Sequence, residues 1–111
     1  MMICVSVCYP NAAGKKFDHD YYAQKHMPLV MDRYKSFGMI RYEIDTGLAG
    51  GAPGSGAPAP FVCIGRLYFN SMEELQKASA AHGAEIFADV PNYTDIELRD
   101  VQIQISQTVS S

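Results

Sequence analysis

The spacing of apolar residues switches between a two-residue and a three-to-four-residue rhythm along the chain, and each switch marks an element. Ile3 to Tyr9 is short, rich in Val and Cys, and stops at Pro10-Asn11, which predicts a strand. From Asp18 to Ser36 the spacing is helical, with Asp18 as a suitable N-cap and Gly38 as terminator. Met39 to Thr46 alternates, Ile40, Tyr42 and Ile44 against Arg41, Glu43 and Asp45, as a half-buried strand does. Phe61 to Phe69 is apolar on both sides and predicts a buried strand. Ser71, three residues before Glu74, reads as a capping box opening a second helix, with Met72, Leu75, Ala78 and His82 at helical spacing. Gly83 is expected to interrupt that helix, leaving a short second piece through Ile86 and Phe87 and making His82 a C-terminal capping cation. After Pro91-Asn92 comes a last strand in which Val101, Ile103 and Ile105 alternate with Gln102, Gln104 and Ser106. The pair Ile96 and Leu98 is out of phase with them, and a bulge near Arg99-Asp100 would reconcile the two halves.

The resulting order, β-α-β-β-α-β, is the split βαβ arrangement of ferredoxin-like α+β folds. Right-handed crossovers put both helices on one face of a four-stranded antiparallel sheet with the first and third strands central. Those are the two strands that are apolar on both faces. Two helices shelter only one face, so the apolar side chains of the other, drawn from Val62, Ile64 and Tyr68 or from Cys63, Leu67 and Phe69, call for a second subunit. A homodimer is expected.

With 111 residues the chain is read as one domain over residues 1–111. Leu48 to Pro60, LAGGAPGSGAPAP, has few side chains able to pack and reads as a flexible loop between two strands. The formal net charge of −3 and the lack of a basic run argue against a nucleic-acid partner. MMICVSVCYP lacks the basic start of a signal peptide, and no later segment reaches the roughly 18 apolar residues of a membrane span. Cys4, Cys8 and Cys63 are odd in number; on one strand Cys4 and Cys8 would stand about 13 Å apart, too far to bridge. These are expected to be buried, inert thiols of a reduced, cytoplasmic protein. The cysteines and His19, His26 and His82 show no metal-ligand spacing, and no Gly-rich cofactor fingerprint occurs, so neither metal nor cofactor is expected.

The chemistry concentrates in DHDYYAQKHMPLVM. At about 100° per residue, Tyr22, His26, Val30, Tyr34 and Phe37 share one helical stripe, which sets His26 in the buried face. Pro28 cannot donate to the carbonyl of Gln24 and crowds that turn, so the helix should kink or restart with Pro28 at its first position, Met27 becoming extended. Either outcome opens space beside His26. An imidazole there is a candidate general acid or base, and Tyr22 one turn earlier is a candidate donor to negative charge on a substrate oxygen. The alternative is a core histidine satisfied by backbone or tyrosine. Phe69, Phe87 and Tyr93 are candidate substrate-binding walls of the same cavity, against an ordinary core role.

Phe17, Asp18, Tyr21, Tyr22, His26, Pro28 and Leu29, in the pattern F-D-x-x-Y-Y-x-x-x-H-x-P-L, resemble the signature of the EthD domain family, and Pro91-Asn92-Tyr93-Thr94 is similar to that family's approach to its last strand. The Gly/Ala/Pro loop departs from the pattern. The resemblance implies a dimeric α/β barrel acting on, or holding, a hydrophobic small molecule. Related barrels include cofactor-free monooxygenases, isomerases, decarboxylases and dehydratases. Two classes of function stand side by side: a small cofactor-independent, oxidoreductase-like enzyme of catabolism with His26 as acid or base and Tyr22 as its partner, or a non-catalytic dimeric binding or accessory protein in which His26 holds the fold.

Overall fold

Alternation along the strands is realised as one antiparallel sheet: β1 (Met2–Pro10), β2 (Arg41–Thr46), β3 (Phe61–Phe69) and β4 (Gln102–Thr108), in the order β2-β3-β1-β4. The computed structural model describes residues 2–109. The ferredoxin-like expectation holds, with β1 and β3 in the middle. Register decides what each face carries. Val5 lies between Leu67 and Ile105, Val7 between Gly65 and Ile103, and Tyr9 opposite Cys63. This set faces the helices and supplies the core with Val5, Tyr9, Cys63, Leu67 and Phe69.

The opposite face is less apolar than the sequence pattern implies. Cys4 pairs with Tyr68, Ser6 with Arg66 and Cys8 with Ile64, while β2 adds Arg41, Glu43 and Asp45. Arg66 is ion-paired to Asp45, the Tyr68 hydroxyl donates to Glu43 at 2.6 Å, and the Arg41 guanidinium lies 4.1 Å from the centre of the Tyr68 ring. Cys4 and Tyr68 are buried beneath these charged groups, so the expected contiguous apolar patch is broken up by ion pairs. Large apolar side chains are left open elsewhere, among them two on the helix-facing side of the β4 edge, Ile103 at 51% and Ile105 at 46% exposed. Two helices cover β2, β3 and β1 and leave β4 bare.

Pro28 is accommodated differently from either expectation. Asp18 caps α1 (His19–Tyr21) by accepting from the Tyr21 N–H at 3.0 Å. The chain then widens into a π-helical turn, Tyr22–His26, in which Met27 N–H bonds back to Tyr22 O, and continues as α2 (Met27–Tyr34). Met27 is helical, not extended (φ −66°, ψ −36°). A π turn moves the carbonyl of Gln24 away from the proline ring, and the missing N–H of Pro28 is absorbed at the second position of α2. A single 3-10 turn, Lys35–Phe37, leads to Gly38, whose φ of 109° ends the helix in the left-handed region.

The second helix, α3 (Met72–Asp89), runs unbroken through Gly83. Its N-terminus is capped by Ser71, which accepts from Glu74 N–H at 3.2 Å, while Glu74 accepts from Asn70 N–H at 3.1 Å. Gly83 is buried at the contact with α2, where a Cβ would stand 3.2 Å from Ser79 Oγ and 3.9 Å from the Tyr34 hydroxyl. It is therefore a buried helical residue facing α2 and not a breaker. His82 accordingly caps nothing: it sits within α3, 3.6 Å from Glu85 and edge-on to Phe37. A 3-10 turn at Leu98–Asp100 takes the place of the expected bulge, separating buried Ile96 from β4. The 48–60 loop is pinched by a bridge between Gly50 and Ala57, and Asn11 holds its base through Ala59 O and Pro60 O.

Candidate functional site

The unbroken course of α3 brings its last residue, Asp89, to the π turn of the first helical segment. Asp89 Oδ2 lies 2.9 Å from His26 Nδ1, and Asp89 Oδ1 accepts from the Tyr21 hydroxyl at 2.8 Å and from Asn92 Nδ2 at 2.9 Å. Burial works to raise the Asp89 carboxyl, but the bonds from Asn92, His26 and Tyr21 outweigh it and hold the group below the usual carboxylate range. Asp89 is thus ionised at neutral pH. Facing a carboxylate, His26 carries its proton on Nδ1 and leaves Nε2 as an acceptor. Burial lowers the imidazole pKa, and the hydrogen bond and charge of Asp89 offset that only in part, so the ring is neutral at pH 7.

On its other side His26 meets phenols. Nε2 is 3.4 Å from the Tyr93 hydroxyl, which is 2.6 Å from the Tyr9 hydroxyl. Tyr22 stacks on the imidazole, 5.4 Å between centroids and 19° from parallel. The Tyr22 hydroxyl comes down on the sheet at Gly65, where any Cβ would collide with it. Burial pushes the phenols of Tyr9, Tyr22 and Tyr93 up, so all three stay protonated at neutral pH and can donate.

Beside this cluster is a cleft of about 510 Å³, within the size range of small-molecule sites. Its floor is Val5 and Val7 of β1 with Ile103 and Ile105 of β4, one wall is α3 from Met72 to Phe87, and Tyr9, Tyr22 and His26 stand at one end. Among the described residues, His26 is the one lining side chain that titrates near neutral pH, and no Lys, Arg, Asp or Glu lines the cleft. Nor do the described residues include a group of three or more His, Cys, Asp or Glu side chains placed to hold a metal ion.

The expected site residues are distributed unevenly around it. His26 and Tyr22 line the cleft; Phe87 stands at its mouth, 44% exposed. Tyr93 is fully buried behind His26, and Phe69 is fully buried in the core against Tyr34, 5.9 Å between rings, away from the cleft lining. Sequence reasoning missed Asp89, Tyr9, Tyr21 and Asn92. Asp89 was hidden by the helix break expected at Gly83; Tyr9 was legible only as an apolar strand residue. Cys63 is fully buried with its thiol pushed up to about 12 by burial, an inert group.

The EthD domain family model matches residues 12–97. The chain belongs to the EthD family. An EthD-like protein from Ralstonia eutropha JMP134 is 43% identical, with 98% of this chain and 93% of that one covered and a TM-score of 0.87. An ethyl tert-butyl ether D (EthD) family protein from Bacillus halodurans C-125 is 16% identical over 98% of this chain and 100% of that one, TM-score 0.70. A dimeric ferredoxin-like protein from an uncultured marine organism, 11% identical over 100% and 97%, superimposes with a TM-score of 0.54. These last two likenesses show the fold alone. No curated protein matches the chain. The EthD motif of the sequence, Phe17 to Leu29, coincides with the capped turn, the π segment and the start of α2 that carry His26.

Proposed function

We propose that this EthD protein is a small cofactor-independent enzyme in which His26, backed by Asp89, exchanges a proton with an uncharged hydrophobic small molecule held in the cleft. The observation that carries this reading is the Asp89–His26 pair at one end of an apolar cleft. A carboxylate on Nδ1 fixes the tautomer and stabilises the imidazolium that forms when Nε2 takes a proton. Removing a proton from an acidic C–H or O–H leaves an anion, and Tyr22, which lines the cleft and stacks on the imidazole, is the candidate donor to it. Such an anion can react with dioxygen, as in cofactor-free monooxygenation, or be reprotonated elsewhere, as in isomerisation. A library of neutral aromatic and aliphatic carbonyls and phenols, screened by thermal shift and then for turnover, tests this. Ligands should raise the melting temperature of the wild type, and His26→Ala should abolish turnover in a folded protein. Equal turnover by wild type and His26→Ala would end the catalytic reading.

The second reading, a non-catalytic dimeric binding or accessory protein of a degradation pathway, is favoured by one observation: both nitrogens of His26 have partners and the residue is only 3% exposed. Here His26→Ala would lower stability and ligand affinity together, with no turnover to lose. For either reading we propose a homodimer, supported by the exposed Ile103 and Ile105 at the edge of β4 and by the dimeric description of one ferredoxin-like neighbour. The chain should sediment as a dimer at micromolar concentration.

A further inference from the structure

The neutral His26 has no unengaged nitrogen: Nδ1 is bonded to Asp89 and Nε2 is in reach of the Tyr93 hydroxyl. Tyr93 itself is fully buried and does not line the cleft. Its hydroxyl is bonded instead to Tyr9, and Tyr9 does line the cleft. From these contacts we infer that Tyr9 is a further catalytic residue, the group that meets the ligand, and that protons pass between cleft and imidazole along Tyr9, Tyr93 and His26. This rests on the proton-exchange reading above and deepens it by naming the route.

The fold holds the two phenols in place from separate directions. Tyr9 stands near the end of β1, opposite Cys63 of β3. Tyr93 follows a single 3-10 turn after α3, and its backbone carbonyl accepts from Asp18 N–H at 2.7 Å, tying the turn to the cap of α1. Rings of Phe17 and Tyr22 pack edge-on or tilted around both. The packing holds the two hydroxyls against each other, 2.6 Å apart.

The transfer balances without a co-reactant. The ligand's acidic C–H or O–H bond breaks and its proton goes to the Tyr9 oxygen, the electron pair staying on the ligand as an enolate or phenolate. The Tyr9 proton moves to the Tyr93 oxygen, and the Tyr93 proton moves to His26 Nε2. The resulting imidazolium faces the Asp89 carboxylate. Both phenols begin and end protonated, in keeping with burial that opposes their ionisation. The reverse sequence delivers a proton to the ligand.

The test uses a defined probe, 2-tetralone, a hydrophobic enolisable ketone, with α-hydrogen exchange into deuterated buffer followed by NMR. Wild type should accelerate exchange, His26→Ala should return it to the buffer rate, and Tyr9→Phe and Tyr93→Phe should each lose at least tenfold. Tyr68→Phe, a phenol on the opposite face of the sheet bonded to Glu43, should retain the wild-type rate. Exchange by Tyr9→Phe at the wild-type rate overturns the route while leaving His26 as base; wild type at the buffer rate counts against the proton-exchange reading itself. The route is also read without any ligand, by 15N NMR titration of His26, whose neighbours are Asp89, Tyr21, Tyr22, Tyr93 and, through Tyr93, Tyr9. Tyr93→Phe frees Nε2 and should raise the midpoint; Tyr9→Phe, which weakens the donor Tyr93, should raise it less. No movement in Tyr9→Phe beyond that in Tyr68→Phe overturns the coupling of the two phenols to the imidazole.

Discussion

His26 and Asp89 depend on each other for their protonation states. Burial lowers the imidazole pKa and Asp89 raises it, so Asp89→Asn should lower the His26 midpoint further, as read by NMR titration. It should also cost about 1–3 kcal/mol in chemical denaturation, since the Tyr21 and Asn92 donors lose their anionic acceptor. The pH dependence follows from the sign of the shifts. Folded His26 binds its proton less readily than an unfolded histidine of pKa near 6.5, so its contribution is intact above that value and is lost as pH falls through the window below it. Asp89, also lowered, loses its contribution at still lower pH. Acid should therefore destabilise the wild type as pH falls below about 6.5, and His26→Gln should flatten that slope. Gly65→Ala is expected to destabilise by about 1–3 kcal/mol, because the new methyl meets the Tyr22 hydroxyl. His26 and Tyr22 were legible in the sequence because their four-residue spacing is local. Asp89 was not, because its distance from His26 spans 63 positions and no pattern within α3 points across that gap.

At the scale of elements, the strands were read from alternation and the first helix from Asp18 and Gly38, and the structure differs where a tertiary contact overrides local preference. Gly83 shows this. Helix propensity argues for a break, yet contact between α2 and α3 wants a small residue there, and packing decides. Gly83→Ala should be neutral or stabilising by up to about 1 kcal/mol, since helix preference gains and Ser79 yields a few tenths of an ångström. Gly83→Leu should destabilise by about 1–3 kcal/mol, forcing the helices apart. Thermal melts of the two variants distinguish a packing glycine from a breaker. The π turn is the second case. Pro28 announced trouble in the helix, but the choice among a kink, a restart and a widened turn depends on the sheet and on α3, which hold His26 against Asp89.

For the whole molecule, the apolar excess that suggests a partner is real, but it lies on the uncovered strand and not on the back of the sheet. Face assignment from sequence could not see that Arg41, Glu43, Asp45 and Arg66 gather on one side, because that depends on register between three strands. The dimer reading accordingly places the second copy near β4. Ile105→Asp should shift the sedimentation coefficient toward monomer, while Glu43→Ala on the back of the sheet should leave assembly unchanged; the opposite pattern would move the interface to the other face. Length matters differently in different parts of this chain. Between residues 48 and 60 a residue more or less alters only a surface excursion whose ends are already tied. Between Tyr22 and His26 the wide turn holds one residue more than an α turn would, so deleting Ala23 would let it close into an ordinary α turn with the side chains on either side kept roughly in phase. The cost of that deletion falls on Pro28, whose ring would again crowd the carbonyl one turn back, and not on the heading of the helix.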